Sequence, residues 1–361
     1  MAATPVVTTA NEASLLSGSP GPTVDSALPD LRVVALGGGT GLPTVLRGLR
    51  AGLFESHPWD PERDQTRLTA IATVADDGGS SGKLRATYQL PSPGDIRNCL
   101  LALAGGDPAL ADVFAFRFAG GSEVAGHSLG NLILTALTEL ERDFSKAVAR
   151  VARLLSIRGL VLPATGQSVT LHAELSDGTV IEGESRIATA RSPIRRVRLN
   201  PAETTALPEA VEAIERAHLI VLGPGSLYSS LVAALLPRGI AEAIARSRAR
   251  VVHVMNLMTE PGETDGHTAV DHLMAIRRHA PTMPIHDILV NTAPFTPEQI
   301  GRYGAQGAVP VGTDLALLRA LGHAVHECDL LTAGDDVRHD PAKLARALLA
   351  LAYRCGSRAG A

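Results

Sequence analysis

The residues best suited to do chemistry cluster at Asp76-Asp77-Gly78-Gly79-Ser80-Ser81-Gly82-Lys83-Leu84-Arg85, where two carboxylates precede small residues and two cations. Paired carboxylates suit a hard cation such as Mg²⁺, which prefers carboxylate and phosphate oxygens. A lone Asp before a helical run more often caps the helix, and one helix end needs one cap. A second cluster, Gly37-Gly38-Gly39-Thr40-Gly41, lets the backbone approach a ligand closely. The helix after it would offer free N–H groups to a phosphate or pyrophosphate. Its order is neither G-x-G-x-x-G nor a Walker loop, so a tight βα connection without a ligand is the plain alternative. Gly223-Pro224-Gly225-Ser226 repeats the design further along the chain.

Other candidates stand near these turns. Asp95 reads as the N-cap of a helix from about Cys99, which leaves Arg97 in the first turn, where a cation opposes the helix dipole. An anionic ligand, or an ion pair with an Asp such as Asp77, would explain it. His127 and Asn131 are four apart and share a face if their helix starts early. His127 could assist proton transfer or simply make a structural hydrogen bond. Asn256 and Asn291 close consecutive strands, and their amides suit a sugar or a base edge.

The elements that must position these residues follow from periodicity. Leu31, Val33, Val34, Ala35 and Leu36 form a short apolar run ending in glycines, which suits a strand covered on both faces. Leu42, Val45, Leu46 and Leu49 then recur at helical spacing, with Pro43 in the first turn. Arg67–Val74 is a second strand, with Asp76 and Asp77 just past its carboxyl end. Further strands are expected at His218–Leu222, Val251–Met255, Ile285–Val290 and Ala324–Asp329, with helices between them. This alternation predicts an α/β fold with a Rossmann-like, doubly wound, mostly parallel sheet, in which ligands bind outside the carboxyl ends of strands. From Gly159 to Ile187 the period changes to two, with Asp177-Gly178 as a turn, so a β-hairpin insertion is expected near 160–187. Arg191, Arg195, Arg196 and Arg198 follow as a solvated run along its edge.

Composition narrows the function. The chain has 361 residues, 45% apolar and 19% charged, with formal net charge −4 and pI near 6.3. A general nucleic-acid binder needs a basic face, and aromatics at 3% leave few stacking platforms, so no nucleic-acid partner is expected. Cys99, Cys328 and Cys355 are too few and too widely spaced for a disulfide framework or a zinc site, which points to a reducing cytoplasm. Residues 1–30 lack the pattern of a signal peptide and read as a disordered leader to a single domain over 31–361. No membrane span is expected, because no apolar run approaches the ~18 residues required.

Taken in order, VALGGGTGLPTVLRGLR, TVADDGGSSGKLR, PGDIRNCLLALA, HSLGNLILTAL, LGPGSLYSSL and NLMTEPGETDG resemble the YvcK/CofD-like family, in particular its gluconeogenesis factor branch, from about Leu31 to Tyr353. The resemblance implies a Rossmann-like cytoplasmic protein that binds UDP-sugars such as UDP-N-acetylglucosamine and serves cell shape and growth on gluconeogenic carbon sources. An unidentified regulatory protein would read the bound state, and a homo-oligomer is compatible with this picture. The ligand would then meet Gly37, Gly38, Gly39, Thr40 and Gly41 on one side and Gly223, Gly225 and Ser226 on the other. Asp77, Arg97, Asn131 and Asn256 complete the set. By resemblance, Tyr303 would stack on the uracil and Arg338 would bond the pyrophosphate. The alternative is an enzyme like the related 2-phospho-L-lactate transferase, with Mg²⁺ on Asp76 and Asp77 and with His127 moving a proton. An NAD(P)-linked oxidoreductase is disfavoured by the glycine spacing.

Overall fold

A computed structural model describes residues 30–55, 58–187, 189–190 and 192–359, so the leader expected over 1–30 lies, Asp30 apart, outside the described residues. Among the described residues there are ten strands: β1 (Val33–Gly37), β2 (Leu68–Ala72), β3 (Leu160–Pro163), β4 (Thr170–Leu175), β5 (Val180–Glu182), β6 (Ile194–Asn200), β7 (Leu219–Leu222), β8 (Arg250–Val254), β9 (Asp287–Asn291) and β10 (Ala324–Cys328). Seven of them form a parallel sheet in the order β10-β9-β8-β7-β1-β2-β3. Every residue of β1, β2 and β7 is buried, as expected of strands covered by helices on both faces. The fold is thus α/β, and the order of strands reverses between β1 and β7. That reversal opens a crevice above two neighbouring strand ends.

The helices that matter for this crevice are α1 (Gly41–Phe54), α2 (Gly79–Tyr88), α3 (Gly94–Leu103), α4 (Leu129–Glu141), α5 (Ala269–His279), α6 (Pro297–Gly304) and α7 (Pro341–Ala359). α1 buries Leu42, Val45, Leu46, Leu49 and Leu53, the face that its spacing predicts. It packs closely on α7: a Cβ on Gly48 would lie 2.0 Å from the Pro341 carbonyl oxygen, so only glycine fits there. α3 begins at Gly94, earlier than expected, and its N-cap is Pro93, so Asp95 is not the cap.

The insertion is a separate three-stranded antiparallel sheet, β5-β4-β6, with the Asp177-Gly178 turn joining β4 and β5. Two boundaries differ from expectation. Leu160–Pro163 belongs to the large sheet, pairing with β2, so the excursion begins at β4 rather than near 160. Arg195, Arg196 and Arg198 are exposed along the edge of the hairpin, as expected of a solvated run, but they lie on a third strand, in which Val197 and Leu199 are buried and pairing with β4 satisfies the backbone; Arg191 lies outside the described residues. The outer side of β6 rests on α5, where the Val197 N–H donates to His279 Nε2 at 2.9 Å and Arg278 donates to the Arg195 carbonyl at 2.8 Å.

Candidate functional site

The two glycine turns meet at the strand-order reversal. A Cβ on Gly41 would fall 2.1 Å from the Pro224 carbonyl oxygen, so the close approach of the turns itself demands glycine. Around them opens a cleft of about 720 Å³. Its walls include Gly39, Thr40 and Gly41 from the first turn, Gly225 and Ser226 from the second, and Asn256, Tyr303 and Arg338 from later segments. Chain segments up to about 300 residues apart therefore share one cavity, because β1 and β7 are neighbours in the sheet.

Thr40 gives α1 no side-chain cap, and the Thr40 and Gly41 N–H groups have no acceptor among the described residues. The Gly39 N–H is different: it donates to Asp95 Oδ1 at 3.0 Å. Asp95 thus holds the turn from behind, across 56 residues of sequence. Burial, and then the charge of Asp76, push its pKa up to about 7.

The second turn leads into a π-helical stretch, Leu227–Val232. Such stretches are often found at functional sites. Two glutamates from the Thr259–Gly266 loop shape it. Glu260 accepts from Ser226 Oγ at 3.0 Å, and buried Glu263 accepts from the Tyr228 N–H, the Ser229 N–H (3.1 Å) and Ser229 Oγ (2.9 Å). Burial raises the pKa of both carboxyl groups, and Glu260 further raises that of Glu263. Asn256 is committed to the same turn. Its Nδ2 donates to the Gly225 carbonyl at 2.8 Å and its Oδ1 accepts the Gly225 N–H at 3.2 Å. These bonds orient the turn and leave Asn256, on the cleft wall, one amide hydrogen and one oxygen lone pair uncommitted to it.

Tyr303, on α6, accepts the Val337 N–H on its hydroxyl at 3.0 Å and packs against a small apolar cluster of Leu257, Leu331 and Val337. Arg338 is exposed, and its nearest carboxylate oxygen, on Asp336, is 3.8 Å away. His339 beside it is buried, and burial lowers its pKa to about 4.

The remaining candidates form a second polar cluster, which meets the cleft wall at Asn98. His127 Nδ1 lies 3.0 Å from Ser80 Oγ, which also accepts from Asn131 Nδ2 at 3.2 Å, so the four-residue spacing does bring His127 and Asn131 together. Arg97 donates to Asn131 Oδ1 at 3.0 Å, to Asn98 Oδ1 at 2.7 Å and to Ser128 Oγ. It makes no ion pair with Asp77, and Ser128 caps α4. Arg97 is buried, which lowers its pKa, as does the charge of Arg117. Asp76 accepts from Gly78 N–H at 2.8 Å and Asp77 from Ser185 N–H at 2.7 Å. The two carboxylates therefore serve different neighbours, and among the described residues no group of three or more His, Cys, Asp or Glu is arranged to hold a metal. Gly37, Gly38 and Gly223 are structural: Gly37 closes β1, Gly38 abuts Asp95 and Thr73, and Gly223 pairs with the Leu36 carbonyl.

Sequence reasoning missed Arg47, Thr44, Asn98, Glu260 and His339 on the cleft wall. Thr40, Thr44 and Arg47 stand at i, i+4 and i+7, a polar stripe on an otherwise apolar helix, and that spacing was the available signal.

Comparison with known proteins adds to this geometry. Residues 33–331 match the family model described as 2-phospho-L-lactate transferase CofD. The chain is similar to the gluconeogenesis factor of Halalkalibacterium halodurans, 45% identical over 88% of this chain and 95% of that protein. It is also similar to the gluconeogenesis factor of Bacillus subtilis, 44% identical over 89% of this chain and 98% of that protein. A crystal structure of a upf0052 family member from Bacillus halodurans superposes with a TM-score of 0.82 at 44% identity, covering 88% of this chain and 99% of that one.

Proposed function

On the premise that the chain belongs to the CofD family, we propose that the cleft between β1 and β7 binds a nucleotide-sugar of the UDP-N-acetylglucosamine type. The protein is then a cytoplasmic regulator of the gluconeogenesis factor kind, whose occupancy by a cell-wall precursor is read by a partner protein for the maintenance of cell shape on gluconeogenic carbon sources. The names of its relatives support the regulatory reading.

One observation carries the ligand class: uncapped amides at the start of α1, an exposed guanidinium on Arg338 and the aromatic ring of Tyr303 line one cleft. Uncapped helix amides and guanidinium groups favour phosphoryl oxygens. An aromatic ring offers a face to a base, and the volume of about 720 Å³ suits a ligand of nucleotide size. The turns themselves are held by Asp95, Asn256, Glu260 and Glu263, so the donors are already oriented before the ligand arrives.

Isothermal titration calorimetry with UDP-N-acetylglucosamine tests this. Dissociation constants on the order of micromolar are expected for the wild type, with at least about a tenfold loss in Arg338→Ala and in Tyr303→Ala. The absence of heat in the wild type would sink the proposal.

A further inference from the structure

The wall of the cleft contributed by α1 is more than a helix end. Thr40, Thr44 and Arg47 all line it, while the neighbouring Leu42, Val45, Leu46 and Leu49 are buried. The stripe is internally ordered: Thr44 Oγ1 donates to the Thr40 carbonyl at 3.0 Å, and Arg47 Nη2 donates to Thr44 Oγ1 at 3.2 Å. Arg47 is exposed and makes no ion pair among the described residues, whereas Arg50, one turn on, is committed to the Ala104 carbonyl.

Arg338 faces the same cleft from the segment before α7. After partial burial, its charge is the largest influence holding the Arg47 guanidinium below its ordinary pKa, which places the two cations within electrostatic reach of each other. The only carboxylate paired with either among the described residues is the exposed Asp336, 3.8 Å from Arg338. Two guanidinium groups that face one cleft repel, and an anion seated between them relieves that repulsion. Nearby, His339 Nε2 is buried with no partner among the described residues, a second polar group on this wall left unspent by the fold.

Helix geometry sets the length of such an anion. Arg47 is seven residues along α1 from Thr40, about 10 Å of rise at 1.5 Å per residue. Helical side chains lean back toward the N-terminus, so the guanidinium returns part of that distance. A single phosphoryl group on the Thr40 and Gly41 amides leaves Arg47 unengaged, whereas two linked phosphoryl groups span the gap.

We propose that Arg47 and Arg338 form a two-guanidinium clamp for the distal phosphoryl group of a diphosphate whose proximal group rests on the Thr40 and Gly41 amides. Arg47 thereby sets a preference of the cleft for diphosphates over monophosphates. The identity of the remainder of the ligand rests on the nucleotide-sugar reading above; the clamp does not.

The test is calorimetry of the full chain and of Arg47→Gln with inorganic pyrophosphate, inorganic phosphate, UDP-N-acetylglucosamine and UMP. In the wild type, pyrophosphate binds at least about tenfold more tightly than phosphate, and in Arg47→Gln that ratio falls to about threefold or less. The melting temperature of Arg47→Gln stays at the wild-type value, because the side chain is exposed. An unchanged ratio in Arg47→Gln, or a wild type that does not bind pyrophosphate, overturns the clamp. Pyrophosphate binding as described without UDP-N-acetylglucosamine binding leaves the clamp standing and removes the nucleotide-sugar reading. The reverse pattern removes the clamp and keeps that reading.

Discussion

The cleft and the buried cluster around Ser80 contain the same kinds of side chain in opposite states. In the cluster, the terminal nitrogens of Arg97 donate to Ser128, Asn131 and Asn98, with its Nε alone left without a partner among the described residues, while Ser80 is shared by His127 and Asn131. In the cleft, Arg47 and Arg338 face solvent, the amides opening α1 are uncapped and His339 Nε2 lacks a partner. A buried polar group must be satisfied by its own fold, and an unsatisfied one at a cavity wall points to something outside the fold. Polar density alone does not find a binding site; in the cluster, all of the Arg97 guanidinium but its Nε is engaged by the fold.

Asp95 joins the two regions, and its titration is the largest expected effect. Its carboxyl group titrates near pH 7 in the folded protein against 3.8 for an ordinary Asp. As pH rises between those values the unfolded chain gives up its proton first, so the stability conferred by neutral Asp95 is full below 3.8 and is lost as pH climbs through 7. Relative to Asp95→Asn, the wild type should lose on the order of 4 kcal/mol across that window in urea unfolding. A pH-independent difference would show that Asp95 stays charged.

Gly41→Ala comes next. With its Cβ 2.1 Å from the Pro224 carbonyl, the substitution should separate the turns, cost about 3 kcal/mol and abolish ligand heat. Full stability would mean that the turns are not in contact. Arg97→Met should cost about 2 kcal/mol by stranding Asn131 and Ser128, yet change ligand affinity by no more than about threefold. The smallest effect on stability belongs to Arg338→Ala, within about 0.5 kcal/mol, despite its loss of binding. If Arg97→Met harms affinity more than Arg338→Ala does, the contrast between the two regions fails.

Much of this was legible in the residues. The apolar run into β1, the 3.6-residue period of α1 and the Asp177-Gly178 turn are local signals, and each gave its element. Local reasoning failed where a partner is distant. Asp95 resembles a cap by position, but its partner is the Gly39 N–H, 56 residues away. Asn256 does line the cleft, yet nothing local announces that its amide also closes on Gly225, 31 residues away. Leu160–Pro163 merged with the alternating segment after it because a short apolar edge strand carries no period of its own.

The contact of β6 with α5 also has a protective side. An exposed strand edge is a template onto which another chain can polymerise. On β6, the imidazole of His279 occupies the Val197 amide and a guanidinium occupies the Arg195 carbonyl, so side chains stand where a foreign strand would have to add. The opposite edge of the same sheet, β5, is only three residues long. By sealing one edge and shortening the other, the insertion carries its own defence against aggregation.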